Sequence, residues 1–241
     1  MPPLTILHTS DFHNHIGLEQ AGRLRTLRLE HQALLLDSGD AIWAGNVFVK
    51  PGAEQAIRRM NEAGYTALGM GNREFFFRSA GLIVKTVEAR FPVLCANLLP
   101  VKGELGHIQR WTPLDSPQGQ RVGVFGLMPM MIRPGTLAED VSDVRFITPA
   151  RATREAVAAL RDDCDWLICL SHAGMAINGP LARDFSALDL ILGGHDHVDA
   201  FEVVNGVTIS HVGPYGKHVS LLRSEQPRRP SGFTREDITL P

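Results

Sequence analysis

At 241 residues, with 24 basic against 26 acidic side chains and a net charge of -2, the chain has no global field that would draw it to nucleic acid or an anionic membrane surface. Hydrophobic residues at 44% and charged residues at 21% are those of an ordinary soluble globule, which excludes a disordered, coiled-coil or collagen-like chain. The length suits one α/β domain with an ample core, so residues 1–241 are expected to form a single domain.

Apolar runs of strand length alternate with segments of helical period along most of the chain. "LTILHT" (4–9) reads as a strand, 19–31 as a helix and "ALLLD" (33–37) as a strand. Residues 52–64 form an amphipathic helix ending at Gly64, "TALGM" a strand, 74–90 a helix and "FPVLCANL" a strand. Residues 107–127 give two strands around a Ser-Pro-Gln-Gly turn. The stretch 128–146 reads as a long irregular loop, either a plain connection or a lid over a site. Thr148 and Pro149 supply the cap and first turn of a helix over 149–162. "DWLICLSH" and "LDLILGGHDH" are buried strands with their polar residues at the end. From about residue 200 the period changes to two, and Asn205-Gly206 marks a hairpin, followed by strands in "HVSLLRSE" and "FTREDITL".

Cys95, Cys164 and Cys169 are odd in number, lack CxxC spacing and lie in or beside apolar runs, the pattern of free buried thiols in a reducing compartment. The start lacks the basic and apolar regions of a signal peptide, and no apolar run reaches the roughly 18 residues of a membrane span. The expected location is therefore the cytoplasm, with no membrane partner. Arg228 and Arg229, before Pro230, read as a solvated tail segment. No basic stripe with interleaved aromatics appears, which argues against a nuclease or any nucleic-acid partner.

Five buried strands end in metal-ligand or carboxylate side chains: Asp11, His13 and His15; Asp37 and Asp40; Asn72 and Glu74; His172; and His195, Asp196 and His197. The carboxyl ends of strands are where α/β sheets bind ligands. Carboxylates, imidazoles and an amide without thiolate suit Mn, Fe, Zn, Ni or Co, and the donors are too many for one ion. The alternative is a set of buried structural polar residues, which is costly for so many unpaired groups.

Together "TSDFHNH", "LLLDSGDAIWAGN", "GNREF", "LSHAG" and "GGHDH" resemble the motif series of the calcineurin-like metallophosphoesterases, D-x-H, G-D, G-N-H-E, H and G-H-x-H. "ILHTSDFHNH", "MNEAGYTALGMGNREF", "FPVLCANL" and "VGPYGKHVSLL" resemble, more narrowly, the catalytic domain of the 5'-nucleotidase branch, over about residues 4–224. The resemblance implies a four-layer α/β/β/α sandwich holding two divalent metal ions, with manganese the expected assay metal. It gives the first ion to Asp11, His13, Asp40 and His197, and the second to Asp40, Asn72, His172 and His195, with Asp40 bridging. Such a pair generates a shared hydroxide nucleophile for in-line displacement at a phosphate ester, so the implied catalytic group is Asp40, Asn72 and Arg73.

Substrate contacts implied in the same way are Arg73, His15 and Asn97. His15 is read either as a substrate contact or as a cap of its turn, and Asp37 as a residue that orients a ligand. His211 is read as either a support for the ligands or a packing residue; His8, His31, His107 and His218 are read as structural or exposed. The family has histidine where this chain has Arg73, and the nucleotidase branch pairs it with an aspartate where this chain has Phe76. An arginine can grip phosphate oxygens in a fork but has no proton to give. The expected activity is hydrolysis of a small phosphomonoester or phosphodiester, nucleotides among them. The competing expectation is a metal- or phosphate-binding scaffold that has lost catalysis. No counterpart of the branch's separate nucleoside-binding domain is expected, since the tail after 224 is too short for it.

Overall fold

The computed structural model describes residues 2–45, 48–49, 54–227 and 232–241. Its elements run β1 (Thr5–Thr9), α1 (Leu18–Glu30), β2 (Leu34–Asp37), α2 (Gln55–Ala63), β3 (Ala67–Gly69), α3 (Ser79–Thr86), β4 (Val93–Leu94), β5 (Leu98–Pro100), β6 (Ile108–Gln109), β7 (Trp111–Asp115) and β8 (Arg121–Leu127). There follow α4 (Leu137–Asp140), β9 (Val144–Phe146), α5 (Pro149–Leu160), β10 (Trp166–Ser171), α6 (Met175–Asp184), β11 (Leu190–Gly193), β12 (Ala200–Val204), β13 (Val207–His211), β14 (His218–Ser224) and β15 (Phe233–Thr239). One sheet has the order β15-β14-β1-β2-β3-β4-β6, antiparallel at its β15-β14-β1 end and parallel from β1 to β6, and a second has the order β12-β13-β11-β10-β8-β7, parallel in its middle and antiparallel at both ends.

The central strands are continuous apolar runs because both of their faces are covered. Ile6, Leu34, Leu36, Val122, Val124, Trp166, Ile168 and Leu170 point between the sheets, where Trp166 meets Phe233 edge-to-face. Their neighbours alternate outward, as a period of two requires. Leu7, Leu35 and Leu68 pack under Leu24, Leu27, Ile57 and Met60 of α1 and α2. Phe125, Leu167, Cys169 and Ile191 pack under Ala152, Ala156 and Leu181 of α5 and α6. These interfaces give four layers, helices outside and two sheets within, the α/β/β/α sandwich expected.

The hairpin turn has both Asn205 and Gly206 at positive φ, 51° and 80°, with Val204 paired to Val207. Four regions depart from the sequence reading. The helix expected over 74–90 starts only at Ser79, because Glu74 is drawn into the fold and Asp143, far along the chain, caps the helix by accepting from Ser79 N and Oγ. The strand expected in "FPVLCANL" splits, since β5 leaves the sheet to pair with β9. The expected loop 128–146 accordingly contains α4 and β9. Helix α6 was not anticipated, because Gly174, Gly179 and Pro180 interrupt its period. Residues 52–53 of the second expected helix and Arg228 to Pro230 lie outside the described residues. No helix among the described residues is long and apolar enough to cross a membrane.

Candidate metal centre

The centre forms where β1, β2, β3, β10 and β11 end side by side. There the chain turns sharply at polar residues. Nine non-glycine residues among those described have positive φ, and five of them are Asp11, His13, Asp40, His195 and His197. Left-handed backbone at such residues is a stored local cost that the surrounding structure holds in place. Asp11 N and His13 N donate to Gly39 O and Asp40 O, locking the first loop onto the second.

Two groups of side chains meet at one oxygen. Asp11 Oδ1 lies 3.6 Å from His13 Nε2 and 3.3 Å from His197 Nε2, and the two imidazole nitrogens face one another at 3.0 Å. The same oxygen is 3.7 Å from His172 Nε2, which is 3.4 Å from Asp40 Oδ1. His195 packs against His172 with ring centroids 5.2 Å apart, and its Nδ1 is 3.0 Å from Asn72 Oδ1. All seven expected ligands are thus neighbours. Asp11, rather than Asp40, is the side chain that reaches both groups here.

The donors are held in orientation by the fold. His172 Nδ1 faces Ser38 O at 2.9 Å, so the neutral ring keeps its lone pair on Nε2, aimed at the carboxylates. Burial disfavours the charged ring, yet Asp40, Asp11 and Glu74 outweigh it and push His172 up to about 9. Burial likewise opposes ionisation of Asp11, but the His13 ring beside it, the charge of His172 and hydrogen bonds to its Oδ2 from Ser10 Oγ and His195 N hold its carboxyl well below the usual range. Glu74 is fully buried and accepts from Asp40 N, Gly71 N, Ala41 N and Ile42 N, while Glu54 accepts from Trp43 N and Ala44 N. The amides of residues 40–44 therefore close on two carboxylates. Asp37 accepts from Gly39 N and Thr9 Oγ1, bracing the turn before Asp40. A Cβ on Gly71 would lie 2.3 Å from Asp40 Oδ1, so the third strand end can approach only as glycine.

The family profile of the calcineurin-like phosphoesterases matches residues 4–199. The chain belongs to this family. A probable 5'-nucleotidase of Treponema pallidum is 31% identical over 220 residues, covering 80% of this chain and 36% of that protein. The bovine 5'-nucleotidase is 29% identical, covering 94% of this chain and 43% of the relative. This chain spans about a third to under half the length of these curated relatives. Among solved structures, a 5'-nucleotidase precursor of Thermus thermophilus superposes with a TM-score of 0.81 at 22% identity, over 99% of this chain and 54% of that one. The calcineurin-like phosphoesterase YfkN of Bacillus subtilis superposes at 0.76 with 20% identity, over 98% and 90%. A sulfate thiohydrolase of Thermus thermophilus shares the fold at 0.75 with 16% identity, over 100% and 57%, so the fold does not fix the substrate.

In this calcineurin-like chain, Arg73 lies beside the centre, its Nε 3.8 Å from Asp40 Oδ2 and its Nη1 donating to Trp43 O. Its backbone N donates to Asp40 Oδ1 at 2.7 Å. Phe76 stands beside Phe77 and covers Gly81 of α3. His15 is exposed at the rim against Tyr215, whereas Asn97 is fully buried and bonds the backbone of Met128 rather than any residue of the centre. His211 is buried; its Nε2 meets Asn178 Nδ2 and its Nδ1 meets Asp196 Oδ1, which supports the turn between His195 and His197. His8 is buried against Ser38, His107 half-buried against Thr86, His31 half-buried near Arg223, and His218 exposed.

Sequence reasoning missed Glu54, Lys85 and Tyr215. Lys85, buried within α3, donates to the carbonyls of Gly45, Arg73 and Phe75, and nothing in its helical context distinguishes it from a surface lysine. Tyr215 carried a readable signal in the sequence Pro-Tyr-Gly, a turn that puts an aromatic ring beside His13 and His197.

Proposed function

We propose that the chain is a dinuclear metal-dependent phosphoesterase acting on a small phosphomonoester or phosphodiester. The observation that carries this is the convergence of two donor groups on Asp11 Oδ1. The donors fit cations: Asp11 Oδ1 and His172 Nε2 are buried without hydrogen-bond partners, and His13 and His197 aim nitrogens at one another. Buried polar atoms left so are costly unless an ion completes them. Asp11, His13 and His197 would hold one ion and Asp40, Asn72, His172 and His195 the other, with Asp11 and Asp40 between them. Oxygen and nitrogen donors without thiolate suit Mn, Fe, Zn, Ni or Co. Such ions, when bound, polarise the phosphate and lower the pKa of water toward about 7.

The chain's own residues do the rest. Arg73 is anchored through Trp43 O and keeps further N–H groups for phosphate oxygens. It carries no transferable proton at neutral pH, so the leaving oxygen departs without an acid from this position. Placing histidine at Arg73 and aspartate at Phe76 together should raise turnover of an alkyl phosphate by part of the ~10²–10⁴-fold that acid catalysis supplies. Unchanged turnover would remove the proposed role. Nucleotides head the substrate panel because the relatives are named 5'-nucleotidases. The unpaired cysteines support a reducing compartment, and we place the protein in the cytoplasm on that ground. The continuous four layers support one domain.

Metal analysis followed by Mn²⁺-dependent hydrolysis of bis-p-nitrophenyl phosphate and p-nitrophenyl phosphate, with Asn72→Ala as the blank, tests the reading. Retention of metal without turnover would favour a binding scaffold instead.

A further inference from the structure

Tyr215 stands on the rim of the centre in a conformation that a tyrosine adopts only at a cost. Its φ is 68°, a left-handed value that glycine would take freely. Three contacts hold it there. Its N–H donates to Asp11 O at 2.8 Å, the following Gly216 is pressed against Phe12 and His15 O, and Gln20 Nε2 donates to Gly216 O. The ring lies 5.4–5.6 Å from the imidazoles of His13, His15 and His197 yet remains 42% exposed. Beyond it opens a cleft of about 390 Å³ whose lining includes Asn14, His15, Gln20, Gln55 and Tyr215. Asn14 Oδ1 is buried there without a hydrogen-bond partner.

The lining selects a ligand chemistry. Among the described residues no lysine or arginine lines the cleft, so these residues offer no cation to a second phosphate or a polyanion. Amides, an imidazole and an aromatic face match an uncharged ring bearing hydroxyl groups, which offers donors to the amides and an apolar C–H face to the tyrosine. We propose that this cleft seats the polyhydroxylated part of the substrate, the sugar of a nucleotide or of a sugar phosphate, while the phosphate lies at the metal centre. The inference rests on the phosphoesterase reading above, and it makes Tyr215 a specificity-determining residue.

Non-hydrolysable phosphonates separate the two readings. Metal-loaded protein is titrated calorimetrically with methylphosphonate, with the methylenephosphonate analogue of ribose 5-phosphate and with that of adenosine 5'-phosphate. Bound metal is measured in every variant. The wild-type protein should bind the ribose analogue about tenfold tighter than methylphosphonate, the worth of one or two hydrogen bonds. In Tyr215→Ala, and independently in Gln55→Ala, which lies away from the ligands, that ratio should fall below about twofold. An adenosine analogue no tighter than the ribose one identifies a sugar phosphate as the source, and a tighter one a nucleotide. Methylphosphonate binding with no advantage to ribose, or an advantage untouched by both variants, overturns the cleft alone. Absence of binding by every phosphonate overturns the cleft and the phosphate-binding centre together.

Discussion

The two halves of the centre share Asp11 but are built differently. Around His172 and Asp40 the side chains are 0% and 4% exposed, and every orientation is fixed from behind by Ser38, Glu74 or Arg73 N. Around His13 and His197 the exposures are 11% and 36%, and the geometry comes from left-handed backbone at both residues, with a packed tyrosine alongside. Burial makes the first half a closed pocket whose polar groups are expensive to leave unpaired. The second half is held mainly by local turns and remains open to a ligand.

The sharpest way to break this contrast is Asp11→Ala, which removes the oxygen common to both halves. It should abolish binding of both ions and lower turnover by on the order of 10³-fold, read by metal analysis and steady-state kinetics. Retention of one full equivalent of metal would show that the halves do not depend on the shared oxygen. His197→Ala should cost less. The inner group is intact without it, so one ion should stay while turnover falls about 10²-fold, whereas His172→Ala should lose the inner ion and destabilise the fold as well. If both variants lose both ions equally, the halves are not separable.

Glu74→Gln probes the inner scaffold without touching a ligand. An amide would turn a donor toward N–H groups that now converge on a carboxylate, so a loss of about 1–3 kcal/mol is expected, lowering Tm by several degrees. The smallest effect is a pH dependence. Burial pushes the Lys85 amine down to about 8, with Glu74, Glu54 and Asp40 opposing the fall. The unfolded chain keeps this proton to about pH 10, so between those values it binds more protons than the folded chain and stability rises with pH. Denaturant midpoints from pH 7.5 to 10 should show the wild-type protein gaining on Lys85→Met, and parallel curves would refute the assignment.

Much of the inner half was legible because its residues follow buried strands: His172 closes "LICLS" and Asp40 follows "LLLD". Its supports were not. Lys85 reads as one more basic position in a helix, and Glu54 precedes α2 with no motif, so their roles depend on carbonyls and amides brought up by other segments. Asn97 illustrates the reverse case, an expected substrate contact whose amide is bonded to Met128. The helix expected from residue 74 fails for the same reason, because Glu74 satisfies three distant amides, those of Asp40, Ala41 and Ile42, that no local pattern encodes.

What the sequence determined by itself is the alternation of buried strands with helices and the kinds of donor at the strand ends, since hydrophobic period and residue chemistry are local properties; the layered sandwich followed from the resemblance of its motifs. Which oxygen joins the two groups, which nitrogen of His172 is presented, and that a strained tyrosine walls one side were decided only when remote segments packed together. Such relations are distances between parts of the chain up to two hundred residues apart, as between His13 and Tyr215, and only tertiary packing sets them.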